Sequence, residues 1–182
     1  MFKKLNIRFI LLFITSTLFL SFNTNNSSMI RGDKTFTAKD NYFQVAFEGE
    51  PTYSNQVIPR ALGDVEMTSY MHERSSNEVH MVSFCDYEEA YVYENEPMPR
   101  LTGGRDGALE SLGLKEVDTE TVGELQGHMS VDFSAHNEQF YVVYKLVLVN
   151  NRLYQVAILK EEGAVDKKFA KAFMKSFRLL DA

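Results

Sequence analysis

The chain has no tryptophan, one cysteine and four prolines in 182 residues. It also lacks a basic run of the kind that tracks a phosphate backbone. Each shortage excludes something. A lone thiol, Cys85, cannot close a disulfide within the chain, and it sits in an apolar strand pattern (HMVSFCDY), so it reads as a small core side chain. Its position also rules out a lipid-modified cysteine directly after the leader. Acidic residues outnumber basic ones by 25 to 19, a net charge of −6. Phosphate affinity comes from Lys and Arg displacing counterions, so nucleic acid is not an expected partner. No HExxH, nucleophile elbow or other strong enzyme motif is present.

What is present begins at the N-terminus. Lys3, Lys4 and Arg8 precede an apolar run, Phe9 to Phe22, which gives way to the polar stretch NTNNSS. That charged, apolar, polar order is the pattern of a bacterial-type export signal. The run is shorter than the ~20 residues that span a bilayer, and Thr15, Ser16 and Thr17 interrupt it. The expected organisation is a signal peptide or N-terminal anchor over 1–23, a linker over 24–35 and one domain over 36–182. The expected location is exported, periplasmic or extracellular, with membrane contact only through an uncleaved leader. The leader holds three basic and no acidic residues, so the remainder carries 16 basic against 25 acidic side chains, or −9. The linker contains Arg31-Gly32-Asp33 and two N-x-Ser patterns at Asn25 and Asn26, matches short enough to arise by chance.

From Phe36 the spacing predicts strands. Phe43, Val45 and Phe47 alternate with polar neighbours until EGEP breaks the run. Further strands are expected over Tyr53 to Ile58, Val65 to Met71, Val79 to Cys85, Leu114 to Val122 and Leu125 to His136. Between them, Thr102 reads as an N-cap, Leu101, Ala108, Leu109 and Leu112 as a helical stripe, and Gly113 as its stop. Phe140 to Val149 and Leu153 to Leu159 form a hairpin around Asn150-Asn151, a pair suited to a type I′ turn. Val165, Phe169, Ala172, Phe173 and Phe177 make a closing helical stripe, with Lys167, Lys168, Lys171 and Lys175 on its wet side.

Pairing Val149 with Arg152 makes both faces of that hairpin largely apolar. A sheet wet on one side alternates cleanly, so this one is expected to be covered on both. The predicted fold class is α+β, a central antiparallel β-sheet flanked by helices on both faces. The segments YFQVAFEGEP, RDGALESLG, FYVVYKLVLVNNRLYQVAIL and KFAKAFMKSFRLL come in an order that resembles small PsbP/Mog1-like domains, over about Phe43 to Leu180. The resemblance implies the same sandwich, in a family of accessory and binding proteins without a common enzymatic activity. No chlorophyll, Ran-binding or manganese-handling motif matches, so no functional residue carries over.

Candidate sites are sparse. His128, Ser130, Asp132, Ser134 and His136 share one strand face, and pairing His136 with Gln139 sets Asp132 diagonal to Lys145. The two histidines lie about 26 Å apart at 3.3 Å per residue, too far to share a metal. His72 and His80 flank the Ser75-Ser76-Asn77 turn and are expected on opposite faces. The stretch Thr102 to Gly107 (TGGRDG) offers backbone amides at a helix start but lacks the Lys-Ser/Thr pair of a phosphate loop. No metal or cofactor site is expected. Tyr87, Tyr91 and Tyr93 alternate with glutamates and read as a rim for a partner surface. The leading expectation is an exported, non-enzymatic binding or accessory domain that meets an envelope protein. The second is a small-ligand or lipid carrier holding a small apolar ligand in a cleft between sheet and helix. A small hydrolase is third, and would need Asp132, Lys145 and Tyr154 within hydrogen-bond reach.

Overall fold

A computed structural model describes residues 35–40, 42–58, 64–88 and 96–180. The expected leader and nearly all of the expected linker lie outside the described residues, as do Tyr91 and Tyr93 of the expected rim. Among the described residues no helix is long and apolar enough to cross a membrane.

Among the described residues ten strands and two helices follow in order. The strands are β1 (Phe36–Thr37), β2 (Phe43–Val45), β3 (Thr52–Ile58), β4 (Val65–Ser75), β5 (Glu78–Asp86), β6 (Thr119–Leu125), β7 (His128–His136), β8 (Phe140–Val149), β9 (Arg152–Glu161) and β10 (Arg178–Leu179). Helix α1 (Pro97–Ser111) precedes β6, and α2 (Lys167–Ser176) precedes β10. Seven strands form one antiparallel sheet in the order β3-β4-β5-β9-β8-β7-β6, and the other three form a small sheet, β1-β2-β10.

The β8–β9 hairpin has the register read from its residues: Val149 faces Arg152, Leu148 faces Leu153 and Tyr144 faces Ala157. Val142 and Leu146 are fully buried on one face and Val156 and Ile158 on the other, while Tyr141, Val143, Lys145 and Val149 on the second face of β8 are only half-buried. Face one packs Val131, Phe133, Leu146 and Leu153 against Leu101, Ala108 and Leu109 of α1. There α1 comes so close that a Cβ on Gly104 would stand 2.8 Å from a Leu153 methyl, which accounts for a glycine in mid-helix. Face two is largely aromatic, with Phe43, Phe47, Tyr70, Phe84, Tyr154 and Phe177 in one cluster that also takes Ala170 and Phe173 from α2.

This corrects the expected architecture. Strands hold 53% of the described residues and only two short helices accompany them, so the chain is predominantly β rather than an α+β, PsbP/Mog1-like sheet with helices as both outer layers. The physical reason lies in β2. Its Gln44 pairs with Thr37 on one side and Arg178 on the other, so the strand stays out of the main sheet and nucleates a second one. That small sheet supplies part of the cover that helices were expected to supply.

Three local expectations also shift. Helix α1 starts at Pro97 rather than after Thr102, because proline in the first turn sacrifices an N–H that has no intrahelical partner anyway. Thr102 is then inside the helix, where its hydroxyl donates to the carbonyls of Met98 and Pro99. The helix does stop at Gly113, whose φ of 64° closes a Schellman pair, Gly113 N–H to Glu110 O and Leu114 N–H to Leu109 O. The strand expected over Leu114 to Val122 instead runs Thr119–Leu125, and its turn is Gln126-Gly127, both with positive φ. Finally, Asn150 has a φ of 52° but Asn151 is not in the positive region, the sign pattern of a type II′ turn and not of type I′.

Candidate functional site

A concavity lies on face two, where the β6–β7–β8 end of the sheet runs out beyond the small sheet and α2 leans over it. The cleft has a volume of about 560 Å³. Its apolar lining is Leu125 from β6, Tyr141 and Val143 from β8, and Val165, Ala170 and Met174 from the α2 segment. Its rim is cationic: Lys145, Lys167, Lys171, Lys175 and Arg178. Asp132 is the one carboxylate among the lining residues.

Each position follows from local structure. Asp166 caps α2, its side chain accepting from the N–H groups of Lys168 (2.9 Å) and Phe169 (3.1 Å). From that fixed start, Ala170 and Met174 turn inward, while Lys167, Lys171 and Lys175, spaced i, i+4, i+8, form a row along the cleft edge. At 1.5 Å per residue the row is about 12 Å long. Arg178 folds back to donate to the carbonyls of Lys175 and Phe177, which places its guanidinium at the end of the row. Among the described residues Lys167, Lys171 and Lys175 have no ion-pair partner.

Sheet residues furnish the other side. Asn137 starts the β7–β8 turn: its side chain accepts from the N–H groups of Gln139 and Phe140, and its own N–H donates to Phe140 O. This four-residue turn pairs His136 with Tyr141 rather than Gln139 and slides the register by two. Asp132 therefore stands directly opposite Lys145, not diagonal to it, and the ammonium donates to both carboxylate oxygens at 2.6 and 2.7 Å. Lys145 is only 13% exposed in its side chain, so Asp132 holds its charge in the cleft, and an ammonium has three protons to share. Beside it the hydroxyls of Thr119 and Ser134 share a hydrogen bond of 2.8 Å.

Tyr154, the third member of the hydrolase constellation, is elsewhere. It packs on Phe43, Phe84 and Phe177 and faces a second pocket of about 430 Å³ with Asp86, Arg152 and His128. Arg152 lies between the rings of Tyr42 and Phe84 and bonds both oxygens of Asp86 at 2.6 and 2.7 Å. Burial raises the Tyr154 phenol, with Arg152 acting against the shift. The structure joins Asp132 to Lys145 and leaves Tyr154 out. Tyr87 is half-buried, its backbone tied to Asn151 by two hydrogen bonds. His136 pairs with Asp118 and, among the described residues, no three His, Cys, Asp or Glu side chains gather as metal ligands.

The opposite side of α2 rests on a charged cluster that the residue pattern does not reveal. His72 and His80 are direct cross-strand partners, so they share a face, contrary to expectation; a bulge between Glu73 and Ser75 supplies the register change. His80 is fully buried between Phe169 and Phe173 of α2, and its Nε2 meets Glu78 at 2.9 Å. Glu78 also accepts from Arg74 (3.0 Å) and pairs with Lys160 (3.3 Å), while Arg74 bonds Glu48 (2.7 Å) and covers the Phe169 ring. Burial holds the His80 imidazole below its ordinary value of 6.5, against the pull of Glu78. For Glu78, burial pushes upward but the bonds from His80, Arg74 and Lys160 together outweigh it, so its carboxyl lies below 4.5. The folded state thus binds fewer protons than the unfolded chain at both groups, so stability rises with pH and is lost on acidification. The loss from His80 begins as pH drops below about 6.5 and the loss from Glu78 follows below about 4.5. Urea midpoints measured from pH 8 to pH 4 should decline along that course, and a His80→Phe variant should lose the upper step.

The signal that marks the cleft in hindsight is the mixed face Tyr141, Val143, Lys145 beside the lysine row of α2. Read alone, that row looks like an ordinary wet helix face. No protein-family model matches this chain, and no curated protein is significantly similar to it.

Proposed function

We propose that this chain is a non-enzymatic binding protein for a small anionic amphiphile, a molecule with one apolar tail and an acid headgroup. The observation that carries the reading is the cleft: an apolar lining of ligand-sized volume, ringed by five cations in a protein whose overall charge is negative. An apolar floor alone favours any greasy molecule. Lys145 is compensated by Asp132, but Lys167, Lys171, Lys175 and Arg178 repel one another, and an anion relieves that repulsion while its tail covers Val143, Val165 and Met174. Lys145 retains a proton for a headgroup oxygen without releasing Asp132. The charged-then-apolar start of the sequence supports a setting outside the cytoplasm.

Titration calorimetry of the full chain with dodecanoate, dodecyl phosphate and dodecyltrimethylammonium tests this. The two anions should bind and the cation should not. Charge reversal in Lys171→Glu/Lys175→Glu should weaken anion binding about tenfold or more, since each tenfold is only 1.4 kcal/mol. Equal binding of the cation, or an unchanged affinity in the double variant, contradicts the reading.

A further inference from the structure

We propose that two copies of this chain pair through β3, edge to edge, as an antiparallel two-fold dimer centred on Asn55. Among the described residues strand β3 is one rim of the seven-stranded sheet, hydrogen-bonded only to β4. An edge strand offers a row of unpaired N–H and C=O groups, and proteins ordinarily blunt it with charge or proline. None of the seven residues Thr52–Ile58 is charged or a proline. Two of the largest exposed apolar side chains, Tyr53 (55%) and Val57 (63%), stand on this strand and on the same face.

The spacing makes the strand self-complementary. An antiparallel two-fold through Asn55 sets Tyr53 against Val57 of the second copy and Val57 against its Tyr53. The same operation sets Thr52 against Ile58 and Ser54 against Gln56. Each exposed ring then covers a β-branched partner, a favourable cross-strand pair. The other rim, β6, behaves oppositely: a two-fold through its central Val122 would set Glu120 against Glu124 of the second copy, like charges directly opposed. The β3 contact is isologous, so it closes at two copies, and the acidic β6 rims face outward and do not extend the sheet.

Sedimentation velocity on the full chain tests the pairing. The wild type should show a concentration-dependent dimer. Tyr53→Lys/Val57→Lys places ammonium against ammonium at both pairs and should give monomer, whereas Tyr53→Lys/Val57→Glu restores opposite charges and should recover the dimer. Both side chains are exposed, so circular dichroism should be unchanged in either variant. Independently, Asn55→Cys sets two thiols on the axis within disulfide reach, and diamide should convert it to a covalent dimer. A wild type that stays monomeric at millimolar concentration, a lysine pair that still dimerises, or an Asn55→Cys chain that does not cross-link overturns the proposal.

Discussion

Replacing Glu78 with glutamine is expected to lower the unfolding free energy by about 3 kcal/mol, the low end of the range for breaking a buried ion pair. Glu78 is 2% exposed and binds His80, Arg74 and Lys160 at once. Its neutral amide keeps the volume but loses the charge that compensates two cations. The effect stays at the low end because Arg74 keeps Glu48, and Lys160, a quarter exposed, can reach water. Urea unfolding at pH 7 reads the change as a lowered midpoint with an unchanged slope. A loss below about 1 kcal/mol would show that the cluster is solvated and that α2 does not depend on it.

Truncating Phe177 to alanine should cost more, about 3–5 kcal/mol. Its ring is fully buried and meets Phe43 at 5.5 Å and Tyr154 at 5.8 Å, so one side chain ties α2 and β10 to both sheets. The deletion opens a cavity among rings that cannot collapse onto it easily. For a domain of this size the melting temperature should fall by roughly 10 °C. Because α2 is the roof of the cleft, affinity for dodecyl phosphate should fall as well. A variant that melts lower yet binds unchanged would mean that the helix keeps its place without this anchor.

Strong local patterns carried over from residues to structure, and long-range ones did not. The β8–β9 register was readable because ten apolar-rich residues on each side flank a two-residue turn, which leaves little freedom to slip. The stripe of α2 was readable for the same local reason. By contrast, β2 looks like any short strand, and nothing near it announces that Arg178 and Leu179, over 130 residues later, complete its sheet. Face two therefore reads as a place for helices, although a small sheet shares the cover. The Asp132–Lys145 pair was on the correct face but two positions out, because the side chain of Asn137 shapes the turn and alternation is blind to a shift of two. His72 and His80 failed through a single bulge, which alternation cannot anticipate. The cleft itself needs α2 placed over β7 and β8, a tertiary fact. Its lysines were visible in the residues while their common target was not.

Methyl-resolved NMR during titration with dodecyl phosphate goes most directly to the heart of the account. The methyls of Leu125, Val143, Val165 and Met174 should shift together and saturate at one ligand per chain, while those of Val57 on the far rim of the sheet stay still. Saturating shifts confined to residues outside the cleft, or shifts that never saturate, would contradict a cleft built between β7, β8 and α2 to hold an anionic tail.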